Sequence, residues 1–186
     1  MKRFFDLFVS IILLVILLIP LLFISALILS TSKGPSLYWS KRIGKENHIF
    51  YMPKFRTMSL DAPEIATHLL ENPSAYYTPI GKFIRKYSID EFPQIYSIIR
   101  GDMSLVGPRP ALYNQEDLIS LRTEVGVHNL VPGITGLAQV SGRDELSIRD
   151  KVKIDKNYLE KKSFIFDLYI IWLTVLKVIK RDGISH

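Results

Sequence analysis

Residues 11–29, IILLVILLIPLLFISALIL, carry a single polar side chain, Ser25, among otherwise aliphatic and aromatic residues and Pro20. As a helix the run extends about 28 Å, at about 1.5 Å per residue. That length nearly matches the hydrocarbon layer of a bilayer, about 30 Å thick. Toward the N-terminus the apolar character continues to Phe4, interrupted only by Asp6 and Ser10. A cleaved signal peptide is disfavoured, because the apolar region is too long and no small-residue cleavage site follows it. The expectation is therefore a membrane-inserted segment over residues 1–32, followed by a second unit over 33–186. Two geometries fit the insertion. Lys2 and Arg3 precede the run while Lys33, Lys41, Arg42 and Lys45 follow it, so the positive-inside rule draws both ends to the same face. Pro20 removes a backbone hydrogen bond and bends a helix. Both features favour a re-entrant helix, yet spanning helices also carry prolines. The two stay open.

Outward from this segment, composition narrows the partners. The formal charge is +6 and the pI about 9.4, which suits an anionic membrane surface or phosphorylated small molecules. Nucleic acid is disfavoured, since no binding motif is present and the aromatics sit largely in apolar stretches. The absence of cysteine excludes disulfides, thiolate zinc sites and cysteine nucleophiles. His48, His68, His128 and His186 show no metal-ligand spacing and read as ordinary residues.

Beyond the membrane segment the pattern predicts strands at 37–42 and 49–58, joined by the turn Gly44-Lys45-Glu46-Asn47. Short helices are expected at 61–70 and 80–87. A third begins at Ser88 or Asp90, where Ser88-x-x-Glu91 fits a capping box, and ends at Gly101. Gly107-Pro108-Arg109-Pro110 must be a rigid loop. Residues 111–125 read as helix, 132–142 as loop, and 144–162 as a charged surface helix. Residues 164–179 are apolar, with Tyr169 and Trp172, and end in basic residues. They read as an interfacial helix rather than a spanning one.

Asp90-Glu91 is the feature that suggests chemistry. Adjacent acids at a helix start are common, because they complement the dipole. Here Arg85, Arg100, Asp102 and Arg109 lie close by in sequence, and a guanidinium on a stiff loop suits bidentate phosphate recognition. Adjacent carboxylates repel, so either one stays protonated or a cation sits between them. Magnesium is the natural cation, as it combines carboxylates with phosphate oxygens. With no cysteine, and no histidine near these motifs, an acid is the economical nucleophile for phosphoryl transfer. Lys54 and Arg56 share one face of the second strand. They bind phosphate, meet lipid headgroups or are solvated, and Arg143 carries the same alternatives.

Ser88-Ile-Asp-Glu-Phe-Pro-Gln94 followed by Arg100-Gly-Asp-Met-Ser-Leu-Val-Gly-Pro-Arg-Pro110 resembles the bacterial sugar transferase family, the monotopic phosphoglycosyl transferases. Lys54-Phe-Arg-Thr-Met58 and Pro132-Gly-Ile-Thr-Gly-Leu-Ala-Gln-Val-Ser-Gly-Arg143 are similar to that family too. The resemblance covers nearly the whole chain and matches the minimal catalytic form. It implies a mainly α fold with a short β-hairpin, a re-entrant N-terminal helix and interfacial amphipathic helices. It also implies a catalytic unit on the cytoplasmic face of the bacterial inner membrane. By the same resemblance, Asp90 would attack the β-phosphate of a UDP-sugar. UMP would leave, and undecaprenyl phosphate would take the phosphosugar from Asp90. Glu91 would assist and, with Asp90, hold Mg2+. Arg109, flanked by Pro108 and Pro110, would meet the nucleotide, and Arg85 the lipid phosphate. The family often has serine before the helix-breaking proline, whereas Ile19 stands there in this chain. The sugar, the later pathway and the choice between monomer and dimer are not legible.

Overall fold

The computed structural model describes residues 1–63, 72–142 and 146–180. The N-terminal helix α1 runs from Lys2 to Thr31 without interruption through Pro20, which lies on its exposed side. Asp6, Ser10 and Ile28 are buried, and Leu13, Leu17, Leu21 and Ile24 are half-buried. Their spacing of three to four residues makes one stripe along the helix. The opposite face leaves Phe4, Phe8, Ile16, Ile19, Leu22 and Phe23 exposed. Such a continuous apolar surface, on a helix long enough to cross a bilayer, is compatible with membrane association.

Both ends of α1 are fastened to the rest of the chain. Near its start, Lys2 Nζ donates to the carbonyl of Val106 at 2.9 Å and to the Asp167 carboxylate. Asp6 accepts from Ser104 Oγ at 2.7 Å, and Arg3 donates to the carbonyls of Ile98 and Ile99. At its end, Ile28 packs in a cluster with Phe55 and Ile84. There Arg56 donates to the carbonyls of Ser32, Lys33 and Gly34.

The hairpin pairs β1 (Leu37–Ile43) with β2 (Ile49–Phe55) in antiparallel register, Leu37 opposite Phe55 and Ile43 opposite Ile49. The turn between them places Glu46 and Asn47 at positive φ, 55° and 60°. Phe50 and Met52 point inward to pack on Ile98 and Met103. Helix α2 (Gly81–Lys86) follows, as expected from the spacing.

The next segment departs from expectation. In place of one helix to Arg100, residues Ile89–Gln94 form a 3-10 helix and Ile95–Arg100 form α3. Ser88 adopts a left-handed conformation (φ 53°) and makes no side-chain cap, so the capping box is not formed. Pro93, inside the 3-10 segment, lacks the N–H that would extend a regular helix back over Asp90. Gly101 ends α3 at φ 100°, as its position suggested.

Residues 132–142 are more ordered than a loop. β3 (Ser104–Val106) and β4 (Gly133–Thr135) pair in parallel, and α5 covers Leu137–Ser141. A Cβ on Gly133 would stand 2.1 Å from the Gly107 nitrogen, so only glycine admits this approach. The helix expected over 111–125 is shortened to α4, Glu116–Glu124. The charged helix α6 spans Ile148–Lys161 and is capped by Ser147, which accepts from the Asp150 N–H at 3.1 Å. Most of the helix expected at 61–70 lies outside the described residues. The last helix, α7 (Phe164–Lys180), buries Asp167 and Ile170 and exposes Ile165, Trp172, Val175 and Ile179. The helix thus has one face packed on the body and one apolar face left exposed.

Candidate active site

The 3-10 segment presents Asp90 and Glu91 against the end of β2, where Lys54 lies. Glu91 Oε1 accepts from Lys54 Nζ at 3.0 Å and from Arg109 Nη2 at 2.6 Å, and its Oε2 accepts from Arg109 Nη1 at 3.4 Å. This three-residue network is only partly open to solvent, so its attractions are screened less than those of a surface pair. Asp90 beside it is only 7% exposed.

The electrostatics of the two carboxylates differ. Burial pushes the Asp90 carboxyl above the ordinary carboxylate range. The Lys54 ammonium opposes this, the Glu91 charge reinforces it, and Arg85 and Arg109 oppose it further. Burial also lowers the Lys54 ammonium, which Glu91 partly restores. Asp90 is thus a poorly solvated carboxyl whose ionisation depends on the cations around it.

Arg109 is held from behind. Its carbonyl accepts from Arg122 Nη1 at 2.8 Å, and Arg122 in turn pairs with buried Asp155 at 2.6 and 3.0 Å. The carbonyls flanking Arg109 are tied as well. Pro108 accepts from the Gly133 N–H at 3.0 Å and Pro110 from Arg42 Nη1 at 3.2 Å. The two prolines restrict φ, and these three donors fix the loop's position.

The other sequence candidates fall as follows. The Arg85 guanidinium lies 6.0 Å from the Tyr77 ring centroid and near the Met58 sulfur, and it contributes to the field at Asp90. Arg56 is buried, and its terminal nitrogens serve the main chain after α1 rather than Glu91. Arg143 lies outside the described residues. Arg42, read in sequence as a membrane-flanking charge, instead belongs to this cluster, and Arg122 and Asp155 carried no sequence signal.

Magnesium is chemically compatible with this donor set. Among the described residues no group of three or more acidic or histidine side chains gathers to form an all-protein cage. A pair of carboxylates is nevertheless what magnesium uses when phosphate oxygens and water complete its octahedron. The arrangement suits a reaction in which negative phosphate charge meets a desolvated acid inside a ring of cations.

Comparison with known proteins adds an independent observation. The model of a family described as bacterial sugar transferase matches residues 1–181. An uncharacterized sugar transferase, EpsL, of Bacillus subtilis is 40% identical over all of this chain and 91% of its own length. An undecaprenyl-phosphate galactose phosphotransferase of Salmonella typhimurium is 35% identical over 98% of this chain. An undecaprenyl-phosphate glucose phosphotransferase of Komagataeibacter xylinus is 40% identical over 96% of it. The chain spans only 41% and 36% of those last two proteins.

Proposed function

The chain belongs to the bacterial sugar transferase family, and from that premise we propose that it is a sugar-phosphate transferase that moves a sugar 1-phosphate from a UDP-sugar to undecaprenyl phosphate. The relatives named for undecaprenyl-phosphate sugar transfer supply the acceptor class. The observation that carries the reading is the buried Asp90 carboxyl beside the Lys54–Glu91–Arg109 network.

In the first step a carboxylate oxygen of Asp90 attacks the β-phosphorus of the donor. The bond from that phosphorus to the bridging oxygen breaks, and UMP leaves with the electron pair. In the second step an oxygen of undecaprenyl phosphate attacks the same phosphorus. The Asp90–phosphorus bond breaks and the carboxylate is restored. Covalent catalysis of this kind divides one difficult displacement between two highly charged phosphates into two easier ones.

The surroundings suit those steps. Lys54, Arg85 and Arg109 favour the ionised form of Asp90 against the effect of burial. Arg109, held by Arg122, meets the nucleotide phosphates as they develop charge on the leaving oxygen. Arg85 serves the lipid phosphate. Glu91 keeps Lys54 and Arg109 in place and, with Asp90, would hold Mg2+, which when bound neutralises diphosphate charge.

The reaction takes place on the cytoplasmic face of the inner membrane, with α1 as a re-entrant element. Two features support the re-entrant placement. Lys2 and Arg3 at one end of α1, and the residues receiving Arg56 at the other, bond to the same body. A straight span of a bilayer would carry one of those ends to the far side.

The test is UMP release across a panel of UDP-sugars with magnesium and undecaprenyl phosphate. Turnover is expected with at least one donor and abolished in Asp90→Asn. Full UMP release by Asp90→Asn would reject the assigned nucleophile.

A further inference from the structure

Arg42 lies on β1 and makes two hydrogen bonds, from Nε to Ser40 Oγ at 2.9 Å and from Nη1 to the Pro110 carbonyl at 3.2 Å. Both acceptors are neutral. Among the described residues it forms no ion pair, because the nearby Glu91 is bonded to Lys54 and Arg109. Arginine has five donors in a rigid planar fork, so three remain beyond those two bonds. A poorly solvated charge is stable only when something of opposite sign meets it, and its closest charged company includes another guanidinium. Burial and the like charge of Arg109 lower its pKa to about 10, with Glu91 only partly offsetting them.

The site is correspondingly overloaded with positive charge. Arg42, Lys54, Arg85 and Arg109 face only two acids, Asp90 and Glu91. Even with both acids ionised, two positive charges stay unbalanced, which is the charge of a nucleotide-sugar diphosphate with its sign reversed.

We propose that Arg42 is a phosphate-binding residue whose missing counter-ion is the diphosphate of the nucleotide donor. This rests on the transferase reading above. The bond to Pro110 places its fork beside the Arg109 loop, so the two guanidiniums grip one anion from adjacent elements, the hairpin and the loop. Lys54 bonds Glu91, whereas Arg42 has no acid of its own. The donor phosphates complete it.

The experiment is a titration of UDP into the full-length detergent-solubilised protein, wild type against Arg42→Gln and Arg42→Lys, with thermal midpoints measured in parallel. A charge-assisted bond is worth about 1.5–3 kcal/mol, so Arg42→Gln should weaken UDP binding roughly 10- to 100-fold. Arg42→Lys, which keeps the charge but not the fork that spans Ser40 and Pro110, should retain much of the affinity. The same variants should leave the affinity for undecaprenyl phosphate within about twofold, since the charge–phosphate contact is local.

Unchanged UDP binding in Arg42→Gln would overturn the proposal. So would equal losses in both variants accompanied by equal falls in thermal midpoint, because Arg42 would then only brace the loop. A selective loss of undecaprenyl phosphate binding would reassign the residue to the acceptor. If instead the wild type binds UDP through Arg42 but releases no UMP from any UDP-sugar, the transferase reading fails while this one stands.

Discussion

Arg122 donates to the main-chain carbonyl of Arg109 at 2.8 Å, while the Arg109 side chain donates to the Glu91 carboxylate at 2.6 Å. The guanidinium paired with Glu91 is therefore steadied through its main chain by a second guanidinium. Arg122 is itself balanced by Asp155, which is 1% exposed.

Asp155→Asn should accordingly be one of the most destabilising single changes in the chain. It leaves a buried guanidinium with no counter-charge, a loss of about 3–5 kcal/mol. Thermal unfolding in detergent measures it. A midpoint within a degree or two of wild type would mean that solvent or another group takes over the charge.

Asp90 must be ionised to attack phosphorus, so UMP release should fall as pH drops through its folded pKa. Burial raises that value, and the acid limb of the pH–rate profile should lie above the ordinary carboxylate range, about pH 4. Lys54→Met removes the largest influence that opposes the rise, so its residual activity should show a limb moved to higher pH. Glu91→Gln removes a like charge and should move the limb to lower pH. Identical limbs in all three proteins would detach the profile from Asp90.

The chain has no cysteine, which makes its topology easy to probe. One cysteine appended ahead of Met1 and another at Lys33→Cys flank α1 at exposed positions. A membrane-impermeant maleimide should label both only from the cytoplasmic side. Labelling of the two from opposite sides would make α1 a spanning helix and would break the contacts of Lys2 and Arg3 with the body.

Much of this architecture was legible in sequence because it rests on local signals. The length of α1 follows from an unbroken apolar run, the hairpin from its strand pattern and Gly44–Asn47 turn, and α7 from an apolar stretch with aromatics and a basic end. The Pro-Arg-Pro loop stood out by composition, and Asp90-Glu91 by the arginines near it in sequence and by resemblance to the family. What escaped depends on distant pairing. Arg122 meets Asp155 across 33 positions in sequence, and neither is unusual among surface charges. β3 and β4, three residues each, are too short to show a strand period. Arg56 and Lys54 alternate as residues on one strand face should, yet one serves the end of α1 and the other Glu91. Ser88 has the residue type of a helix cap but takes a left-handed turn, in a segment where Pro93 also interrupts a regular helix.

The covalent role of Asp90 is tested most directly by mass spectrometry of protein mixed with a productive UDP-sugar and magnesium in the absence of lipid acceptor. Asp90 should gain the mass of one sugar phosphate as a stoichiometric pulse of UMP appears, and added undecaprenyl phosphate should discharge it. Steady turnover with acceptor, but neither the adduct nor the pulse without it, would mean that the phosphosugar passes directly between substrates.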